Sequence, residues 1–133
     1  MSSYPEWTFC AKREAIKREI YEVLDDVAGN SETITFSDLV ARVRTFRLQP
    51  DDARLHRILE EISAEENAAG RGLLGVLVLE RGCAHRPGLD FFELAQGLGR
   101  EISNLYDPSA RDRVFMRELD RVYAEHRRVC TAV

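Results

Sequence analysis

Long apolar runs are missing from this sequence. The longest, residues 73–79, falls far short of the roughly 20 residues a membrane helix needs, so no membrane partner is expected. No basic segment precedes an apolar stretch near the start, and no secretory leader is expected. Cysteine is sparse: Cys10, Cys83 and Cys130 are odd in number and widely scattered, which argues for reduced thiols in a cytoplasmic protein rather than a disulfide framework. Neither a Gly-x-Gly-x-x-Gly nor a Walker loop occurs, and no cofactor is expected. Gly97-Leu98-Gly99 follows an expected helix, so it reads as a stop signal and not a phosphate cradle. The histidines form no paired Ser/His/Asp pattern, and repeats and low-complexity segments are lacking.

What remains is an ordinary apolar fraction and a rather high charged fraction over 133 residues, enough for one domain with a real core. The net charge of −4 is unevenly spread. Residues 49–70 hold Asp51, Asp52, Glu60, Glu61, Glu65 and Glu66 against Arg54 and Arg57, and the rest of the chain balances to zero. The acidity therefore sits on one expected helix.

The first helix is expected over residues 7–27, where Phe9, Ile16, Ile20, Val23, Leu24 and Val27 form one apolar stripe. Thr33-Ile34-Thr35-Phe36 is short, β-branched and alternating, and predicts a short strand. Thr35-x-x-Asp38 has the form of a capping box that starts a second helix, with Ser37 as an alternative cap. Residues 44–49 make a turn. Pro50-Asp51-Asp52 opens a third helix that buries Leu55, Ile58, Leu59 and Ile62 and closes at Gly70. Residues 73–79 read as a strand buried on both faces. After turn residues at 81–88, the chain returns through residues 89–92 as a partner strand or the entry to a helix. A fourth helix is expected over 93–99, and a fifth after the Asp107-Pro108 cap, with Val114, Phe115, Leu119, Val122 and Tyr123 on one side.

This order of elements resembles the winged helix over residues 7–92, and Thr33-Ile34-Thr35-Phe36-Ser37-Asp38-Leu39 looks like that superfamily's junction of strand and second helix. Locally, Gly70-Arg71-Gly72-Leu73-Leu74, Pro87-Gly88 and Phe91-Phe92-Glu93-Leu94-Ala95 resemble a group of small uncharacterised bacterial proteins, which implies a bacterial or phage origin and no mechanism. The expected fold is α+β and mainly helical. A winged-helix-like core of three helices plus a small antiparallel hairpin is followed by two C-terminal helices over about 93–128, all in one domain.

The resemblance implies DNA binding, with the third helix in the major groove and the wing along the backbone. Arg42, Arg44, Arg47, Arg54 and Arg57 are then the contacts of the turn and third helix, and Arg81 and Arg86 those of the wing, since arginine suits guanine edges and phosphates. The helix's acidity opposes that role unless its glutamates point away from the duplex. The bland alternative pairs Arg57 with Glu61 and His56 with Glu60 on a solvated face. A competing reading is a protein-interaction module whose acidic surface (Glu60, Glu61, Glu65) docks a basic partner, with Trp7, Phe46 or Tyr106 as aromatic anchors; core burial is the simpler role for Trp7 and Phe46.

The best enzyme constellation is Cys83-Ala84-His85-Arg86. It is similar to the Pro-Cys-His-Arg site of DNA alkyltransferases, but an alanine intervenes and no proline precedes the cysteine, so a turn with an incidental thiol is the simpler reading. Cys83-x-His85 is a poor zinc spacing, and the glutamate pairs suit a solvated face better than a metal site. The expectation is a non-catalytic, metal-free regulatory DNA-binding protein, with the protein-interaction module as the alternative. Two long amphipathic helices also raise a homodimer as a hypothesis.

Overall fold

The computed structural model describes residues 6–80 and 86–127. It is mainly helical with a small sheet. Helix α1 (Glu6–Gly29) is followed by β1 (Ile34–Thr35), α2 (Phe36–Arg42), α3 (Ala53–Ala68), a 3-10 turn (Leu74–Leu77), β2 (Val78–Leu79), α4 (Leu89–Gly97) and α5 (Pro108–His126). The starts of three helices follow local chemistry. Thr35 Oγ1 accepts the Asp38 amide at 3.2 Å, Asp52 accepts the Arg54 amide at 2.8 Å, and Asp107 accepts the Ser109 amide at 3.1 Å ahead of Pro108. Pro50 and Asp51 thus precede α3 rather than forming its first turn, because the Asp52 side chain captures the cap position.

Two helix exits use glycine. Gly70, at φ +81°, lets the Arg71 amide reach Glu66 O at 2.9 Å and its own amide reach Asn67 O at 3.0 Å. Gly99 does the same for α4. Helix α1 ends in the same motif, but Ser31 occupies the left-handed position at φ 56°, while Gly29 stays inside the helix.

Residues 73–79 depart from expectation. Most of the run coils into the 3-10 turn, and Val78–Leu79 alone forms a strand. Leu73, Leu74, Val76 and Leu77 have no solvent exposure and pack among α1, α3 and α5. A buried amide needs a partner wherever it lies. Here side chains supply it: Ser63 Oγ on α3 accepts the Gly75 amide at 2.9 Å, and Glu118 Oε1 on α5 accepts the Leu73 amide at 3.2 Å. These contacts account for two polar residues, Ser63 and Glu118, in the middle of the core. They also hold the segment coiled, where a strand would have needed neighbours on both edges.

The sheet differs too. β1 and β2 pair in parallel, Ile34 opposite Val78 and Thr35 opposite Leu79, and this two-stranded sheet is the only one among the described residues. Residues 89–92, expected as a partner strand or a helix entry, form the first turn of α4. The antiparallel hairpin therefore has no counterpart in the described chain. The Glu80 amide donates to Arg86 O at 2.9 Å across residues 81–85, which lie outside the described part.

The apolar stripes of α1 and α5 face the common core and each other. The stripes that suggested a homodimer are thus covered within one chain. Among the described residues no helix is long and apolar enough to cross a membrane.

Candidate nucleic-acid interface

The sequence nominates seven arginines, and the structure sorts them by what each already holds. Arg54 is folded back onto the protein. Its Nη2 and Nε meet the Asp52 carboxylate at 2.8 and 3.1 Å, and its guanidinium lies 4.5 Å from the Phe9 ring centroid and 5.3 Å from that of Phe46. The hydrogen bond from Arg54 holds the Asp52 carboxyl below its ordinary range. Phe46 is buried edge-on against Phe9. Arg54 is thus a cover over an aromatic pair and not an extended probe.

Arg86 is similarly engaged. Nε donates to Asp112 Oδ1 at 2.7 Å, and the guanidinium sits 5.0 Å over the Phe115 ring. Arg42 lies 3.4 Å from Asp26 in a pair open to water on both sides, which holds it weakly. Arg44, Arg47 and Arg57 are exposed, and no ion pair involves them among the described residues. Arg81, Cys83 and His85 lie outside the described residues, as does the Trp7 side chain.

Three of the four glutamates of α3 turn toward the rest of the fold. Glu61 accepts Arg13 Nη1 and Nη2 at 3.1 and 3.0 Å and Lys17 Nζ at 2.6 Å, all from α1. Lys17 also reaches Glu65 at 2.7 Å. Hydrogen bonds from Arg13 and Lys17 bring the Glu61 carboxyl down to about 2. For Lys17, burial opposes the charge, but its bonds to Glu61 and Glu65 outweigh that and raise its pKa. The pairing of Arg57 with Glu61 and His56 with Glu60 does not form. His56 instead stacks on Phe36 with centroids 4.6 Å apart and points Nε2 at Pro50 O, 3.2 Å away. Of the three residues suggested as an acidic docking surface, Glu61 and Glu65 are tied to α1, and Glu60 is exposed.

Glu66 is buried at the far end of α3. It accepts Arg71 Nε at 2.9 Å and lies 3.2 Å from His126 Nε2, out of line for a hydrogen bond. The other ring nitrogen of His126 is 2.8 Å from Asp25 Oδ1. This imidazole joins α1, α3 and α5 in the interior and acts as a clamp between helices.

The sequence singles out none of Arg13, Lys17, Glu118 and His126 as site residues. A signal existed for the first two: Arg13 and Lys17 flank the stripe of α1 one turn apart, matching Glu61 and Glu65 one turn apart on α3. Nothing local marks Glu118 or His126, whose partners are 45 and 101 residues away. Among the described residues, no three His, Cys, Asp or Glu side chains gather as a metal site. No family model, curated protein or solved structure matches this chain.

Proposed function

We infer that the protein is a small non-catalytic binding module, winged-helix-like in the arrangement of its first three helices, that docks duplex DNA and serves as a cytoplasmic regulator. The surface is narrower than the sequence suggests: Arg44 and Arg47 between α2 and α3, Arg57 on α3, and Arg42 as a recruitable neighbour. One observation carries the reading. Glu61 and Glu65 are consumed by Arg13 and Lys17, and Glu66 by Arg71, so the acidity of α3 is largely neutralised within the fold while Arg57 stays outward. Arg54 and Arg86 drop out as contacts because each is already held by an acid and an aromatic ring.

Mobility shift of generic duplex DNA across a salt series tests this. Replacing Arg44, Arg47 and Arg57 together with alanine should weaken binding and lower the salt slope by up to about 3, near one unit per lost phosphate contact. The absence of a shift at low salt would overturn the DNA reading. It would leave the protein-interaction module, for which Tyr106 and Met116, 72% and 53% exposed, are better candidate anchors than the paired glutamates.

A further inference from the structure

A cleft of about 600 Å³ opens between the end of α4, the segment after it and the first turns of α5. These elements contribute none of Arg44, Arg47 and Arg57. Three arginines line it: Arg100, Arg113 and Arg117. We propose that this cleft binds a small organic phosphate, with the arginines taking the phosphate and an apolar floor taking the organic part.

Three features point that way. First, Arg113 and Arg117 stand one turn apart on the same side of α5, where like charges repel, and neither forms an ion pair among the described residues. Most other cations described above are matched to an acid, so a second positive charge left at this spacing is a held potential for an anion. Second, Arg100 is preset. The α4 exit at Gly99 aims the chain, with the Arg100 amide bonded to Ala95 O at 2.9 Å. Buried Glu118 then grips Nε at 2.6 Å and Nη2 at 3.4 Å, leaving Nη1 without a partner among the described residues. A guanidinium fixed along one edge presents the other for the paired donors that phosphate oxygens accept. Third, Ile102, Ala110 and Val114 also line the cleft, and each is largely buried. A bare phosphate would use little of the volume, which is in the range of small-molecule sites. The acid on the rim, Glu101, is exposed and limits how much negative charge the ligand can carry.

The test is calorimetric titration of the full chain at low salt with two probes, inorganic pyrophosphate and adenosine monophosphate. The variants are R113A/R117A, both exposed and outside the core, and R121A as a charge control. Arg121 lies on the same helix outside the cleft, where it donates to Gly70 O at 3.0 Å. Wild type should bind both probes with dissociation constants on the order of 0.1–1 mM. R113A/R117A should lose about tenfold or more, and R121A should bind as wild type. No binding of either probe would overturn the proposal. So would equal loss in R121A, which would reduce the effect to bulk charge, or binding of pyrophosphate without adenosine monophosphate, which would remove the organic ligand.

Discussion

Replacing Glu118 with alanine tests the account of the core most directly. Its carboxylate is 3% exposed and has two tasks: Oε1 accepts the Leu73 amide, and both oxygens hold Arg100. Alanine strands a fully buried amide, at about 1–3 kcal/mol. It also frees a guanidinium whose side chain is 22% exposed and borders the cleft, so it can swing into water; its loss falls below the 3–5 kcal/mol of a sealed pair. We expect about 3 kcal/mol in total. At about 2.1 cal/mol/K per residue of unfolding entropy, that lowers Tm by roughly 10 °C. Glu118→Gln keeps an acceptor for Leu73 and should cost about 1 kcal/mol. Urea denaturation with an unchanged m-value measures both, and hydrogen exchange should show the Leu73 amide deprotected in the alanine variant alone. A loss under about 1 kcal/mol for alanine, or unaltered exchange at Leu73, would refute the claim that a side chain from α5 holds the buried 3-10 turn.

Three further outcomes follow from the same contacts. The Glu61 carboxyl is lowered on folding, so its pairing stabilises the protein above the ordinary carboxylate range and is lost as pH falls toward about 2. With the side chain 38% exposed, screening limits this to about 1 kcal/mol, and Glu61→Gln should flatten the acid limb of a stability–pH curve by that amount. Ser31→Gly should raise stability by about 0.5–1 kcal/mol in thermal melts, because φ 56° costs a side chain that glycine lacks. Gly75→Ala places a methyl 2.7 Å from Ser63 Oγ and should cost about 1–3 kcal/mol by denaturant titration, while breaking the hydrogen bond that fixes the turn.

What could be read from the sequence was local. The caps at Thr35 and Asp107, the glycine exit at Gly70 and the stripe of α1 are decided within a few residues, and all appear as expected; α3 starts later than expected, capped by Asp52. The run at 73–79 reads as a strand because apolarity alone cannot separate a doubly buried strand from a buried coil. The deciding partners, Ser63 and Glu118, lie 12 and 45 residues away. The packing of Arg54 and Arg86 is illegible for a related reason: arginine suits phosphate equally well whether or not a ring waits beneath it. Phe9 decides the matter for Arg54, and Phe115 for Arg86.

The contact between Leu73 and Glu118 also sets an order of assembly. A ribosome delivers the chain from its start, and the acceptor for the Leu73 amide emerges 45 residues after the amide itself. Until α5 is made, the elements before it hold an apolar coil whose Leu73 amide lacks its acceptor. Native burial of that coil therefore waits for α5, which is the stopper that makes it final.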